Sequence, residues 1–503
     1  MVSVVFSAAI GGIDAQIINV EADVSDGLPV FNMVGYLSSE VREAKDRVRT
    51  SIKNSGFPLK PKHITVNLSP ANLRKTGTGF DLPVALSILA AYELIPQNFL
   101  DETLIVGELS LEGNIRRITG ILPIVITARD KGFKRVVVPR ENAMEGAVVS
   151  GIEVVAVSSL RELITLILDG EPFPAVTPVE VVLDDERDYP EDFKEVSGQL
   201  LARRAIEIAV SGMHNIILSG PPGAGKTMLA KRIPTIMPKL TFEESMEISR
   251  IYSIAGLLSE DRYVLTKRPF CAPHHTATVP SLIGGGMKAM PGAVSLSHNG
   301  VLFLDELPEF GRDTIESLRQ PLEDRKVNIS RVNASYTYPA GFMLAASMNP
   351  CPCGFYPDRT KCTCTPVSID RYRHRISKPI LDRIDIFVNV ERTDFKDICE
   401  GSRGEDSRTI RARIEKVRKV QLKRYAHEKI RFNSQLSGGM VDKYCTLSPE
   451  CVKIMEKAYE SLDLSARGYH RILKVARTIA DMAGSREIGE DHLREAIGYR
   501  GFM

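Results

Sequence analysis

The sequence predicts an α/β protein with three parts: a mixed α/β region, a second α/β region built on a phosphate-binding loop, and a helical C-terminal region. Three observations carry this. "NIILSGPPGAGKTMLAKRI" reads as an apolar strand, a glycine-rich turn and a helix. "GVLFLDE" reads as a buried strand ending in two carboxylates. "DGEPFPAVTPVEVVLDDERDYPEDF" is rich in proline and acid and lacks periodicity, so it reads as a linker between the α/β regions.

The 503 residues provide for about two to four domains. A hydrophobic share of 43% and a charged share of 25% allow several packed cores. Net charge is +2, so any nucleic-acid binding must come from a local patch. No apolar run reaches the length of about 20 residues that spans a bilayer, and no membrane association is expected. "MVSVVFSAAIGGIDAQ" has no basic start and is interrupted by Asp14, so it reads as a strand rather than a signal peptide. The eight cysteines then predict reduced thiols and a cytoplasmic location.

In residues 1–169, "DETLIVGELS" and "KRVVVPR" read as strands, with β-branched runs bounded by Gly or Pro. "FDLPVALSILAAYEL" and "LPIVITARDKG" read as helices, the second stopped by Gly132. Residues 170–195 form the linker. Residues 196–392 form the second α/β region, with a four-cysteine insertion at 351–364. Residues 393–503 read as helical throughout.

The segment from Gly220 through Pro221, Pro222, Gly223, Ala224 and Gly225 to Lys226 and Thr227 has P-loop spacing. Backbone N–H groups of such a loop curl around phosphates, and the helix N-terminus adds positive potential. Lys226 is placed to reach the β- and γ-phosphates of ATP, and Thr227 to ligate Mg²⁺. The strand "VLFL" brings Asp305 and Glu306 to the ligand-binding end of a parallel sheet. Asp305 is expected to hold Mg²⁺ through water, and Glu306 to polarise the attacking water. "GFMLAASMNP" ends at Asn349, which either orients that water or caps the turn before Pro350.

Several residues keep two readings. Arg383, between a short helix and a strand, either points at a neighbouring subunit's γ-phosphate or pairs with Asp382 or Asp385 in its own chain. Arg467 and Arg471, one turn apart on a helix, either reach nucleotide or lie on a solvated face. "LEDRKVNISRVNASYTYPAGF" alternates like a β-hairpin. Its Arg325, Lys326 and Arg331 either contact DNA phosphates or guard a hairpin edge. "RTIRARIEKVRKVQLKRYAHEK" is a basic helix, read as a solvated face or a binding stripe. His274 and His275, near Cys271, read as a packing or contact loop in preference to a metal site.

"NPCPCGFYPDRTKCTCTP" places Cys351, Cys353, Cys362 and Cys364 as two C-x-C pairs separated by eight residues. Residues two apart on an extended segment face one side. The Gly and Pro between the pairs allow a reversal that brings them face to face. Four converging thiolates suit tetrahedral Zn²⁺; free thiols and disulfides are the other readings.

In this order the motifs resemble the AAA+ ATPases and, through "RPFCAPHHTATVPSLIGGG" and "PGAVSLSHNGVLFLDELPEF", their magnesium-chelatase-like branch and its ComM/YifB family. That resemblance covers essentially the whole chain. It implies Walker roles for Lys226, Thr227, Asp305 and Glu306, sensor 1 for Asn349, an arginine finger for Arg383 and sensor 2 for Arg467. It assigns the adenine contact to Val196, Gly198 and Gln199. It also implies a helical lid at the C-terminus, a hexameric ring, and an ATPase acting on branched or single-stranded DNA in branch migration during recombination or natural transformation. The N-terminal region resembles the Lon-protease catalytic domain through "VGELSLEGNIRRITGILPIVITARDKGFKRVVVPREN" and "RKTGTGFDLPVA". Gly79 and Ile124 stand where the Ser–Lys dyad is expected, so no peptidase activity is predicted. The alternative is a motor for metal insertion; such motors are expected to lack the Lon-like region and to need a metal-binding partner.

Overall fold

A long hairpin begins the chain. Val2–Gly11 pairs antiparallel with Asp14–Ser25, in register from Val2 opposite Asp23 to Gly11 opposite Asp14. Alternate residues of the second strand, among them Ile18, Val20 and Ala22, are fully buried, as a half-covered strand requires. The computed structural model describes residues 2–170, 172–183, 189–286, 289–331, 334–392 and 404–500. Its contacts separate two compact units. The first comprises Met1–Val182, Phe242–Thr266 and Ser330–Thr337; the second comprises Leu183–Thr241, Lys267–Ile329 and Tyr338–Met503.

The first unit is built on a seven-stranded mixed sheet. Its order is Phe31–Val34, His63–Ser69, Asp14–Ser25, Val2–Gly11, Thr103–Ile105, Arg135–Pro139, Glu153–Val157. Helix Asp81–Ala91 is buried on every side, as its continuous apolar run demands. Helix Ile121–Asp130 ends just before Gly132, as expected. "DETLIVGELS" forms two short strands rather than one, Thr103–Ile105 and Glu108–Leu109, because the Gly107 N–H leaves the ladder and donates to Gly79 O at 3.0 Å.

Two parts of this unit depart from the boundaries read in the sequence. The start of the expected linker packs on the sheet: Phe173 is buried, and Val176 N–H donates to Val154 O at 2.8 Å. Residues 171 and 184–188 of that linker lie outside the described residues. Helix Phe242–Ile254, placed with the ATPase core by sequence, belongs to the first unit. Gly120 N–H donates to Ser253 O at 3.1 Å, and buried Glu145 accepts from Ser253 Oγ at 2.5 Å and Leu122 N at 3.1 Å.

The second unit holds a five-stranded parallel sheet. Its order is Phe270–Cys271, Val301–Leu304, Met343–Met348, Ile216–Ser219, Ile386–Asn389. These strands read as short apolar runs because helices cover both faces. The C-terminal helices Ser407–Arg424, Pro449–Ser461, Ala466–Met482 and Glu490–Gly498 share one apolar core with that sheet. The helical lid is therefore part of the same compact unit as the phosphate loop. Its expected first residues, 393–403, lie outside the described residues. Among the described residues, no helix is long and apolar enough to cross a membrane.

Candidate nucleotide site and thiol cluster

Ile216–Ser219 lies between Met343–Met348 and the edge strand Ile386–Asn389, so the loop after it opens at the end of an interior strand of the sheet. Gly220 is tightly placed: an added Cβ would meet Val390 O at 2.2 Å, which excludes any side chain. Helix Lys226–Ile236 follows the loop directly. The Lys226 ammonium donates to Gly220 O at 2.6 Å, Pro221 O at 3.0 Å and Asn349 Oδ1 at 3.0 Å. Burial lowers its pKa, and Asp305 and Glu306 act against that shift.

The carboxylate strand neighbours the strand that carries Asn349. Thr227 Oγ1 donates to Asp305 Oδ2 at 2.8 Å. Ser347 Oγ donates to the other Asp305 oxygen and accepts from Glu306 N–H at 3.1 Å. Hydroxyl and carboxylate oxygens are the donors a hard divalent cation takes, so Thr227 and Asp305 fit Mg²⁺. Glu306 adopts φ +53° and its side chain is 58% exposed. Among the adenine candidates, Val196 is buried, while Gly198 and Gln199 take positive φ before helix Leu200–Gly212. Gln199 Nε2 donates to Glu391 O and, at 3.4 Å, to Ala224 O.

Arg383 does not pair with Asp382 or Asp385. It donates to Arg319 O at 3.1 Å, to Pro379 O at 2.8 Å and to the Glu323 carboxylate. Arg467 lies 3.4 Å from the same carboxylate, so the two candidate arginines share one acceptor. Arg471 instead pairs with buried Asp385.

Lys326–Arg331 and Ala334–Pro339 form the expected hairpin. Lys326 is exposed. The Arg325 guanidinium lies 3.4 Å from Ser434 Oγ, and burial pushes its pKa down to about 10. The side chain of Arg331 and the hairpin turn at 332–333 lie outside the described residues. His274 and His275 stack with ring centroids 4.1 Å apart, and His275 Nδ1 lies 4.0 Å from Glu306 Oε2. That proximity gives the loop a neighbour that its sequence did not reveal.

Cys351, Cys353, Cys362 and Cys364 carry no S–S bond in this structure. Their sulfurs all lie within 4.8 Å of one another. Sγ separations are 3.4 Å for Cys351–Cys353, 3.8 Å for Cys351–Cys362 and 3.6 Å for Cys353–Cys362. A tetrahedral Zn²⁺ with bonds of 2.3 Å sets sulfurs about 3.8 Å apart. The four residues therefore supply a donor set, and a spacing close to that needed, for such an ion. The N–H of Phe355 holds the Cys353 thiol down to about 6.

Residues 192–398 match the family described as magnesium chelatase, subunit ChlI. Residues 20–142 match subunit ChlI of Mg-chelatase, and residues 404–500 match the ChlI C-terminal description. The chain is 39% identical to competence protein ComM of Haemophilus influenzae, over 100% of this chain and 98% of that protein. It is 39% identical to the uncharacterized protein YifB of Escherichia coli, over 99% of this chain and 97% of that protein. The chain belongs to the magnesium-chelatase-like ComM/YifB family. A more distant likeness, 27% identity over 33% of this chain and 27% of the other, joins it to the archaeal Lon protease of Methanocaldococcus jannaschii.

At the two positions aligned with the Lon dyad, Gly79 has no side chain to offer and Ile124 is buried among apolar neighbours. Sequence reasoning missed Ser347 and Glu323. Ser347 was legible in principle, because it shares a strand face with Asn349 two residues on. Glu323 carried no local signal.

Proposed function

We propose that this chain is an ATP-driven DNA motor that works as a hexameric ring on branched or single-stranded DNA, promoting branch migration during recombination or natural transformation. The observation that carries the ATPase part is the junction of Thr227, Asp305, Lys226 and Asn349 at the ends of neighbouring strands. Lys226 gives up its bonds to Gly220 O, Pro221 O and Asn349 and turns to the β- and γ-phosphates. Thr227 and Asp305 would hold Mg²⁺, which when bound would supply positive charge against that developing on the phosphates. Glu306 accepts a proton from the attacking water, and Asn349 orients that water. Gln199, with Val196 and Gly198, lies at the adenine end. Arg383 from a neighbouring subunit stabilises the transferred phosphoryl group, with Arg467 as the intrachain sensor.

The DNA part is supported by the Lys326–Pro339 hairpin and by a relative named as a competence protein. The thiol cluster holds one Zn²⁺ in this reading. The family description favours a second reading, an ATPase motor for metal insertion with a partner subunit. ATP turnover decides between them. Stimulation by branched DNA, and none by a porphyrin with a chelatase partner, supports the motor on DNA; the reverse pattern overturns it.

A further inference from the structure

The thiol cluster does not stand apart from the nucleotide loop. Cys351 begins two residues after Asn349, the acceptor of the Lys226 ammonium. Gly354 N–H donates to Cys351 O at 2.9 Å, which closes a turn around the first thiol pair. At the crest of that turn Gly354 has φ +83°, and a Cβ there would lie 2.5 Å from Pro222 Cδ. The backbone of the thiol turn thus rests on the proline ring of the phosphate loop, with room for hydrogen only. Next in the chain, Phe355 stacks under the Arg392 guanidinium at 5.6 Å. Arg392 follows Glu391, whose carbonyl accepts from Gln199. After the last thiol, helix Pro366–Arg373 places Tyr372 against the backbone of Asn349. One small module therefore touches both the phosphate end and the base end of the candidate nucleotide site.

We propose that metal held by Cys351, Cys353, Cys362 and Cys364 braces the phosphate loop through the Gly354–Pro222 contact, so that metal occupancy sets nucleotide affinity. This rests on the reading of the two sites given above and adds their coupling. Without a cation the thiols are linked to one another by weak S–H contacts, a softer restraint on the turn than metal bonds. Four bonds to one cation fix the turn, and with it the position of Pro222. Coupling of this kind is reciprocal: whatever factor metal adds to nucleotide affinity, nucleotide adds to metal affinity.

The test uses the full chain. Zinc content is measured first; then the dissociation constant of a fluorescent ATP analogue is compared in zinc-loaded, chelator-stripped and zinc-restored protein. Zinc affinity is measured separately by chelator competition with and without ADP. The expected result is one zinc per chain and a loss of about tenfold in nucleotide affinity on stripping, reversed by zinc. The same factor should appear in zinc affinity when ADP is added. Gly354→Ala, which keeps all four thiols, should retain zinc and bind nucleotide more weakly. Should that variant fail to fold, the ADP effect on zinc affinity still decides the matter. Protein that binds no zinc overturns the metal reading. Zinc bound equally well with and without ADP overturns the brace and leaves the metal site standing. Failure of zinc-loaded protein to bind the analogue at all overturns the nucleotide reading instead.

Discussion

Arg383 is tied to Glu323 within its own chain, with only 9% of the arginine side chain exposed against 51% of the glutamate. Arg383 also fills two backbone acceptors, Arg319 O and Pro379 O. An arginine that acts on a neighbour's phosphate must leave this carboxylate, so Glu323 competes with the substrate for it. Glu323→Gln should then raise ATP turnover a few-fold, about what loss of one charge-assisted hydrogen bond allows. Arg383→Ala should lower turnover by about 10³ or more. Mixed rings of Arg383→Ala and Lys226→Ala subunits should recover part of the activity, because one interface type then holds both groups. Melting curves taken alongside separate the alternatives: lower stability in both variants with normal turnover would make the pair purely structural.

Lys226 and Glu306 should fail in different ways. Lys226→Ala removes a cation held by Asn349 and two loop carbonyls, and it should abolish both tight nucleotide binding and turnover. Glu306→Gln keeps the phosphate loop intact and should bind ATP normally while losing hydrolysis. Equilibrium binding of labelled ATP, measured beside phosphate release, checks this; equal binding loss in both variants contradicts the roles assigned.

Asp385 makes stability depend on acid. Burial alone would raise its pKa, but Arg471, His214 at 3.7 Å and the Asn215 N–H at 2.9 Å outweigh it and hold the carboxylate far below its ordinary range. A carboxylate depressed in the folded state stabilises the fold above its unfolded pKa of about 3.9, and that contribution drains away as pH falls toward the folded value. Asp385→Asn should cost about 3 kcal/mol at neutral pH, since it strands a half-enclosed Arg471. Urea midpoints recorded from pH 7 down to pH 3 should fall less steeply in the variant than in the parent. Parallel pH curves would show that Asp385 contributes nothing to the slope.

The first unit should cleave no peptide. Purified protein incubated with casein, with and without ATP, should leave it intact, as a Gly at 79 and a buried Ile at 124 offer neither nucleophile nor base. Cleavage that persists through purification and maps to residues 1–182 would require another dyad in that unit.

The strand, loop and helix of the candidate phosphate site were legible because they are local. Strand, glycines, Lys226 and Thr227 follow one another without interruption, and only one backbone path satisfies them. Asp305, 78 residues from Thr227, was legible too, because an apolar strand ending in a carboxylate reports its own position in a parallel sheet. The C-x-C pairs announced their convergence through the period of an extended chain. Tertiary structure alone decided the rest. Nothing near Arg383 in sequence names Glu323, 60 residues away, as its partner. Nothing near Arg325 in sequence names Ser434 as its neighbour. Helix Phe242–Ile254 sits between two ATPase motifs in sequence, yet it folds into the first unit, where its Ser253 Oγ donates to Glu145. Gly354 reads as an ordinary turn residue until Pro222 closes on it. Periodicity and spacing are properties of one segment, so they report what that segment must do by itself. Which carboxylate meets which guanidinium, and which glycine must stay bare, depends on two segments meeting, and only packing of the whole chain sets that.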